Sequence, residues 1–235
     1  MYDDTTLSPR QGGGLFMRTT DFTPALGLPG FTRGYDLAIR LLTREAVWRG
    51  ELLRQVAPRD CETIVDVGCG TGTFAMMLKQ AAPGARIIGL DPDPAVLEIA
   101  ARKAERAGLE IEWRQGFARD VADFKGELAK AISSLVFHQV PLPGKREGVA
   151  AMFASVRPGG EVHIADYARQ RSVVMRLLFR LTVQSLDGLA DTQPNADGAL
   201  ERILSDRAGV VVEPRRVVPT ATGAISLFQA ARPQD

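Results

Sequence analysis

The chain has 235 residues, which is enough for one large domain with an additional element. Hydrophobic residues make up 45% of it and charged residues 24%, and this composition excludes collagen-like, wholly disordered and disulfide-scaffold proteins. With 29 basic and 28 acidic residues the net charge is +1. The chain lacks the overall basic excess of a protein that wraps nucleic acid, so we expect no nucleic-acid partner.

Two features of the sequence bear on the compartment. The N-terminal residues lack the basic start and apolar run of a secretory leader, and no stretch of about 18 apolar residues predicts a membrane span. Cys61 and Cys69 are the only cysteines, too few for a disulfide framework or a four-cysteine zinc site. We therefore predict a cytoplasmic protein in a reducing compartment, with no bound metal.

The first sixty residues divide into two parts. Residues 1–34 contain three consecutive glycines and several prolines, which predict an irregular arm. Residues 35–56 show helical spacing of apolar residues and predict a helix that Pro58 ends. The predicted buried face of this helix consists of Leu37, Leu41, Leu42, Trp48, Leu52, Leu53 and Val56.

The middle of the chain alternates between short apolar runs and helical segments. Such alternation predicts right-handed crossovers and a parallel sheet with helices on both faces. The predicted strands are 63–67, 86–90, 110–114, 131–137 and 161–166, and the predicted helices between them end near residue 82 or span 93–107 and 145–157.

The last third of the chain has a different pattern. Helical periodicity over 170–190 and 196–208 predicts an insertion after the fifth strand, and apolar segments at 210–212 and 225–230 predict two final strands. Together these elements predict a doubly wound α/β fold with a mostly parallel, seven-stranded sheet.

A glycine-rich loop follows the first predicted strand. Gly68, Gly70 and Gly72 have the spacing Gly-x-Gly-x-Gly, and Asp66 stands two residues before the first glycine. The dinucleotide fingerprint has its third glycine one residue later and binds a pyrophosphate at a helix N-terminus. Because an acid at this loop would repel a pyrophosphate, the loop favours a cationic ammonium group.

Asp91 at the end of the second predicted strand supplies a complementary group. It lies where an acid accepts hydrogen bonds from both hydroxyls of a ribose in nucleotide-binding sheets. One end of the crevice is therefore expected to bind a ribose and the other an ammonium group. S-adenosylmethionine carries both, together with a sulfonium.

Three segments together resemble the class I S-adenosylmethionine-dependent methyltransferases: the glycine loop, residues 89–93 and residues 156–160. The resemblance covers roughly residues 35–168 and is closest to the quinone-biosynthesis C-methylases. It implies a Rossmann-like methyltransferase fold whose last strand is antiparallel. It also implies an N-terminal lid helix in 35–60, and a domain over 61–235 that carries a cap insertion at 169–208.

The resemblance also implies the cofactor site, with S-adenosyl-L-homocysteine as product. Phe117 stands where the family commonly has an acid that reaches the adenine amine, which is a departure from the pattern. The positions implied to bind the cofactor are Tyr35, Asp66, Gly68, Cys69, Gly70, Gly72, Asp91, Pro92, Gly116, Phe117, Ala118, Ser134 and Leu135.

His138 follows the fourth predicted strand and is the candidate catalytic residue. A histidine near its reference pKa can take a proton from a phenol or an acidic carbon. The alternative is a loop histidine that only hydrogen-bonds a backbone group.

Residues 169–183 interleave arginines with apolar side chains and have two interpretations. A basic amphipathic helix can lie on a membrane surface, or its apolar face can cap an acceptor pocket. The cap is favoured because the insertion follows the fifth strand, at the sheet edge where ligands bind.

The sequence thus predicts an enzyme that moves a methyl group from S-adenosylmethionine to C, N or O of a small, fairly apolar acceptor. The alternatives are a membrane-associated phospholipid methyltransferase, a non-catalytic S-adenosylmethionine-binding protein and a nicotinamide-dependent oxidoreductase. The shifted third glycine and Asp66 disfavour the last of these. The sequence carries no signal for the oligomeric state.

Overall fold

The computed structural model describes residues 42–234, which form one seven-stranded sheet flanked by helices. The strands are β1 (Thr63–Val67), β2 (Arg86–Asp91), β3 (Glu112–Gln115), β4 (Leu128–Ser134), β5 (Val156–Tyr167), β6 (Arg216–Thr220) and β7 (Gly223–Ala231). The α-helices are α1 (Glu45–Val56), α2 (Thr73–Ala81), α3 (Pro94–Arg106), α4 (Leu142–Ser155), α5 (Val173–Leu181), α6 (Val183–Asp187), α7 (Leu189–Ala196) and α8 (Ala199–Ala208). Two short 3₁₀ helices cover Ala118–Phe124 and Phe137–Gln139.

The strand order in the sheet is β3-β2-β1-β4-β5-β7-β6. Strands β1 to β5 run parallel, and β7 is antiparallel to both of its neighbours, β5 and β6. This arrangement confirms the predicted fold class. The chain leaves β1 toward one edge and later returns to add β4 on the other side, so a ligand crevice opens where the carboxyl ends of β1 and β4 diverge.

The core lies on both faces of this sheet, as the continuous apolar run of β1 predicts. Val65 and Val67 pack into a cluster with residues of α4 and α8, whereas Ile64 packs on the opposite face with residues of α1 and α2. In α1 the buried positions are Trp48 and Leu52, together with Val56 at its end.

Most predicted elements are present, with shifted ends. The predicted strand 131–137 is observed as β4, which ends at Ser134, because residues from Leu135 onward turn into a 3₁₀ helix above the sheet. Leu42 is 46% exposed, which contradicts its predicted place on the buried face of the first helix. The predictions for the arm 1–34, for Tyr35 and for Leu37 and Leu41 lie outside the described residues.

The predicted strand 210–212 is wrong. These residues follow α8 as an irregular segment, and the side chains of Val210 and Val211 are 65% and 83% exposed. The edge of β7 is instead paired by β6, which begins at Arg216. Three consecutive valines favour a strand only where a partner strand is available, and here none reaches them.

The segment predicted as the insertion, 169–208, folds as α5, α6, α7 and α8, and α8 contributes Leu200 and Leu204 to the core. Ser172 caps α5 by accepting a hydrogen bond from the Met175 backbone N–H at 3.3 Å, and the buried Phe179 packs this helix against Gly223 of β7. No helix within residues 42–234 is long and apolar enough to cross a bilayer.

The packing of β2 generates a stability prediction. A Cβ atom at Gly89 would lie 2.4 Å from the Trp113 ring and 3.0 Å from the Cys69 sulfur. We therefore expect Gly89→Ala to lower the free energy of unfolding by about 1–3 kcal/mol, because the indole must shift. Denaturant unfolding measures the change.

Gly50 in α1 provides the matched control, because nothing lies within 4 Å of a Cβ atom built there. Gly50→Ala should be neutral or stabilising by up to about 1 kcal/mol. Combining Trp113→Leu with Gly89→Ala should recover part of the lost stability. Equal stability of wild type and Gly89→Ala would contradict the packing argument.

Candidate functional site

A cavity of about 530 Å³ opens at the carboxyl ends of β1, β2 and β4. Its walls come from the glycine loop, the end of β2, the loop after β3, the loop after β4 and the start of α4. The lining residues are Arg49, Val67, Gly68, Cys69, Gly70, Thr71, Thr73, Phe74, Asp91, Pro92, Phe117, Ala118, Arg119, Ser134, Leu135, Val136, Gln139, Val140, Pro141, Pro143, Gly144 and Glu147.

The glycine loop forms one wall of the cavity in a conformation that side chains disfavour. Gly68 and Gly70 have φ angles of +70° and +52°, in the left-handed region. A Cβ atom at Gly68 would lie 2.3 Å from the Val136 side chain, whereas one at Gly70 would meet nothing within 4 Å. Gly70 therefore leaves a space on the cavity side that a ligand can fill.

Asp91 joins this loop to the end of β2. Its Oδ2 accepts the Gly70 backbone N–H at 2.8 Å, and its Oδ1 accepts the Asp93 N–H at 3.0 Å. Burial raises the pKa of this carboxyl group. Each carboxylate oxygen accepts more than one hydrogen bond, so Asp91 can still accept from hydroxyls in the cavity that it lines.

Two side chains that the sequence analysis did not identify stabilise the glycine loop. The Lys103 ammonium donates to the Thr71 carbonyl at 2.7 Å and to the Thr73 hydroxyl at 3.0 Å. The Trp113 ring lies against Gly72, where a Cβ atom would be 2.5 Å away. No local motif marks either residue, because each reaches the loop from another element.

Asp66 lies at the base of the glycine loop, where the positive charge of Arg49 acts on it. Asp66 is 1% exposed, and within the described residues its Oδ1 atom accepts no hydrogen bond. Burial raises the pKa of Asp66 to about 7, against the opposing effect of the Arg49 cation. Arg49 lines the cavity from α1 and also pairs with Glu45 at 3.2 Å.

The loop after β3 forms the opposite wall. Phe117 and Ala118 line the cavity, and the Arg119 guanidinium lies 4.7 Å from the centre of the Phe117 ring. The Phe117 N–H donates to Asp120 at 2.8 Å. Glu147 of α4 lines the same cavity.

His138 is not among the residues that line the cavity, and it is 6% exposed. Its Nδ1 atom lies 2.7 Å from Asp166 Oδ1, and its Nε2 atom lies 3.4 Å from Asp187 Oδ2. Burial opposes protonation, but the two carboxylates outweigh it and raise the pKa of His138 to about 9. An imidazolium held at both nitrogens cannot accept a proton, so the geometry argues against the predicted role as a base.

Asp166 organises the loop to which His138 belongs. Its Oδ2 atom accepts the backbone N–H groups of Val136, Phe137 and His138 at 3.1, 2.6 and 3.3 Å. The buried Lys145 ammonium donates to the Phe137 carbonyl, and to the Asp191 carbonyl in the insertion at 2.8 Å. The loop is therefore fixed both to the end of β5 and to α7.

The structure brings together nine of the predicted cofactor-binding residues around the cavity: Gly68, Cys69, Gly70, Asp91, Pro92, Phe117, Ala118, Ser134 and Leu135. Asp66, Gly72 and Gly116 support the walls without lining them, and Tyr35 lies outside the described residues. Burial and nearby carboxylates raise the pKa of the Cys69 thiol, so the thiol stays protonated.

The sequence interpretation missed Arg49, Arg119, Gln139 and Glu147, which also line the cavity. No local motif in the sequence marks any of these four residues. Within residues 42–234, no group of three or more His, Cys, Asp or Glu side chains is placed to hold a metal ion.

Comparison with known proteins relates part of this chain to a known domain. Residues 64–160 match the family model described as a methyltransferase domain. The chain is 28% identical over 152 residues to a demethylmenaquinone methyltransferase of Thermus thermophilus, a match that covers 64% of this chain and 68% of the relative. It is 36% identical over 119 residues to a ubiquinone biosynthesis O-methyltransferase of Methylocella silvestris, covering 48% of this chain and 43% of the relative.

The fold is also found among solved structures. A geranyl diphosphate methyltransferase in complex with S-adenosylmethionine superposes with a TM-score of 0.64 at 21% identity, over 88% of this chain and 94% of the other. The similarity to this structure supports the fold alone. The family model matches the part of the chain that carries the glycine loop and Asp91. Residues 64–160 thus match a methyltransferase domain, and the chain resembles the class I S-adenosylmethionine-dependent methyltransferases, among them enzymes named for quinone biosynthesis.

Proposed function

We propose that this chain transfers a methyl group from S-adenosylmethionine to a small, largely apolar acceptor with a quinone-like or phenolic ring. The observation that carries the proposal is that one cavity is lined both by the glycine loop with Asp91 and by an apolar wall formed by Leu135, Val136 and Val140. The names of the two relatives support the acceptor class. We extend the proposal to a cytoplasmic location, which the exposed free thiol of Cys61 supports.

Features of the cavity fit the cofactor. The space beside Gly70 admits a ligand where a side chain would stand, and the unpartnered oxygen of Asp66 leaves an acceptor near the same loop. Asp91 would bind the ribose hydroxyls, and Pro92 with the Phe117 ring would cover the adenine. Arg49 would pair with the carboxylate of the methionine moiety.

The bound cofactor supplies a methyl group on a positively charged sulfur, ready for attack by a nucleophile. The protein therefore has to align the acceptor and exclude water, and alignment alone can account for roughly 7–11 kcal/mol of barrier reduction. The rigid loop after β4, fixed by Asp166 and Lys145, provides a wall against which an acceptor can be aligned. We assign His138 a positioning role in this loop.

A membrane-lipid acceptor is the second candidate. The observation that favours it is the exposed apolar face of α5, a helix whose buried Phe179 packs against Tyr167 at the end of β5. A screen of phenolic, quinone-like, amine and lipid acceptors with isotope-labelled S-adenosylmethionine, read by mass spectrometry, separates the candidates. A chain that binds the cofactor but labels no acceptor would contradict the proposed function.

The first prediction concerns Asp91. Asp91→Asn removes the charge and one acceptor oxygen at the proposed ribose site, so we expect S-adenosylhomocysteine to bind at least tenfold more weakly, roughly 1.4 kcal/mol. Isothermal titration calorimetry measures the affinity. Asp123→Asn, at an exposed site away from the cavity, is the control for charge and should bind as wild type. Unchanged affinity of Asp91→Asn would refute the ribose role.

The second prediction concerns Arg49. If Arg49 pairs with the carboxylate of the methionine moiety, Arg49→Gln should weaken the binding of S-adenosylhomocysteine about tenfold. This is the usual range for a charge-assisted hydrogen bond. It should leave 5′-methylthioadenosine, which lacks that carboxylate, unchanged. Calorimetry with both ligands tests the role. Equal losses for the two ligands would show a general effect on the cavity.

The third prediction concerns the pH dependence of stability. The pKa of His138 is raised from 6.5 to about 9 in the fold, so its stabilisation is complete below pH 6.5 and is lost as the pH rises through 9. The stability advantage of wild type over His138→Gln should therefore shrink over this range in denaturant unfolding. Burial lowers the pKa of the neighbouring Lys145 to about 8, an effect of opposite sign. The comparison of wild type with variant removes the part of this effect that does not depend on the His138 charge.

His163 provides the control, because burial lowers the pKa of this second histidine and leaves it neutral above pH 6.5. The difference in the free energy of unfolding between wild type and His163→Gln should not change between pH 6.5 and 9. A constant difference for His138→Gln would contradict the ion-paired state.

A further inference from the structure

The insertion exposes an unusual amount of apolar surface. Of the eleven large apolar side chains that are exposed in residues 42–234, six lie between residues 173 and 189, with exposed fractions from 54% to 86%. We name these six the apolar stripe: Val173, Val174, Leu177 and Leu181 on α5, with Leu186 and Leu189 just after it. Contiguous exposed apolar surface marks an interaction site.

The stripe follows the geometry of α5. Val173, Val174, Leu177 and Leu181 recur at helical spacing on one side, whereas Phe179 lies on the other side and is fully buried against β7. The helix therefore has one apolar face in the core and a second one in solvent. The first face is needed for folding, and the second face has no partner within the described residues.

The charges beside the stripe are predominantly positive. Segment 169–189 holds four arginines, namely Arg169, Arg171, Arg176 and Arg180, and a single acid, Asp187. All four arginines are exposed. Arg171 pairs with Glu213, and Arg176 lies 4.0 Å from Asp197, whereas Asp187 is directed inward to His138.

We propose that the apolar stripe and its arginines form a surface that docks on an anionic lipid bilayer. Apolar side chains enter the acyl boundary of a bilayer while guanidinium groups bind the phosphates above it, and the two contributions add. A second copy of the chain fits this surface less well, because a two-fold interface would bring the four arginines of both copies together in one interface.

The position of the surface connects it to the cavity. The Phe179 ring lies 5.2 Å from the Tyr167 ring, and Tyr167 lies 5.2 Å from His138 in the loop that lines the cavity. A docked bilayer would thus lie one helix away from the proposed acceptor site. The docking surface goes beyond the proposed function, because lipid binding requires no methyl transfer.

The test is flotation of the full chain with vesicles, without cofactor. We expect binding to vesicles of phosphatidylcholine with phosphatidylglycerol, weaker binding at high salt, and little binding to phosphatidylcholine alone. The double variant Leu177→Asp, Leu181→Asp should reduce binding at least tenfold. Arg176→Gln with Arg180→Gln should reduce it about fivefold per arginine, the value of one basic residue near an anionic surface.

Matched controls come from other helices. Val47→Asp changes an exposed apolar residue of α1, and Arg102→Gln with Arg106→Gln removes two exposed arginines one turn apart on α3. Both should bind vesicles as wild type. Calorimetry with S-adenosylhomocysteine on the stripe variants shows whether the cofactor site is intact, which keeps a failure of docking separate from a failure of the proposed function.

Four results would overturn the proposal. Wild type fails to float with the anionic vesicles, or the stripe variants float as wild type does. Light scattering shows a wild-type dimer that the stripe variants convert to a monomer, which would make the stripe an interface between copies. The stripe variants unfold at a clearly lower temperature than Val47→Asp, which would mean that another part of the chain already covers the stripe.

Discussion

The hydrogen bond from the Gly70 backbone N–H to the Asp91 carboxylate is the constraint on which the site depends. It joins the loop after β1 to the end of β2, two segments that are adjacent because their strands are parallel neighbours. Asp91 also accepts from the Asp93 N–H, where α3 begins. One buried carboxylate thus fixes the loop and the start of a helix while it lines the cavity.

The other side of the cavity depends on a second buried carboxylate. Asp166 accepts three consecutive backbone N–H groups and pairs with His138, so the loop after β4 has a defined shape before any ligand binds. Lys145 extends this network to the backbone of the insertion. Such preorganisation suits methyl transfer, because the cofactor is already activated and the protein contributes mainly alignment.

The insertion connects this rigid loop to the outside of the molecule. Its inner face contributes Phe179 to the core, and its outer face carries the apolar stripe and four arginines. A lipophilic acceptor would reach such a cavity more readily from a bilayer than from water. The proposed acceptor class and the proposed docking surface are thus physically compatible, although each rests on different residues.

The sequence alone determined the fold class, the order of the strands along the chain and the cofactor loop. These follow from local information: the apolar run of β1, the spacing of Gly68, Gly70 and Gly72, and the acid that ends β2. It misassigned residues 210–212, because β propensity says nothing about whether a partner strand is within reach.

Only the tertiary structure decided the state of His138 and the contributions of Arg49 and Lys103. His138 contacts Asp166 and Asp187, which are distant in sequence. The charge of Arg49 acts on Asp66 of β1, and Lys103 reaches Thr71 and Thr73 from another element. A pKa or a cavity wall depends on which charges fold together in a place of low dielectric constant. Local spacing can place a residue at the end of a strand, but it cannot say which carboxylates will face that residue after folding.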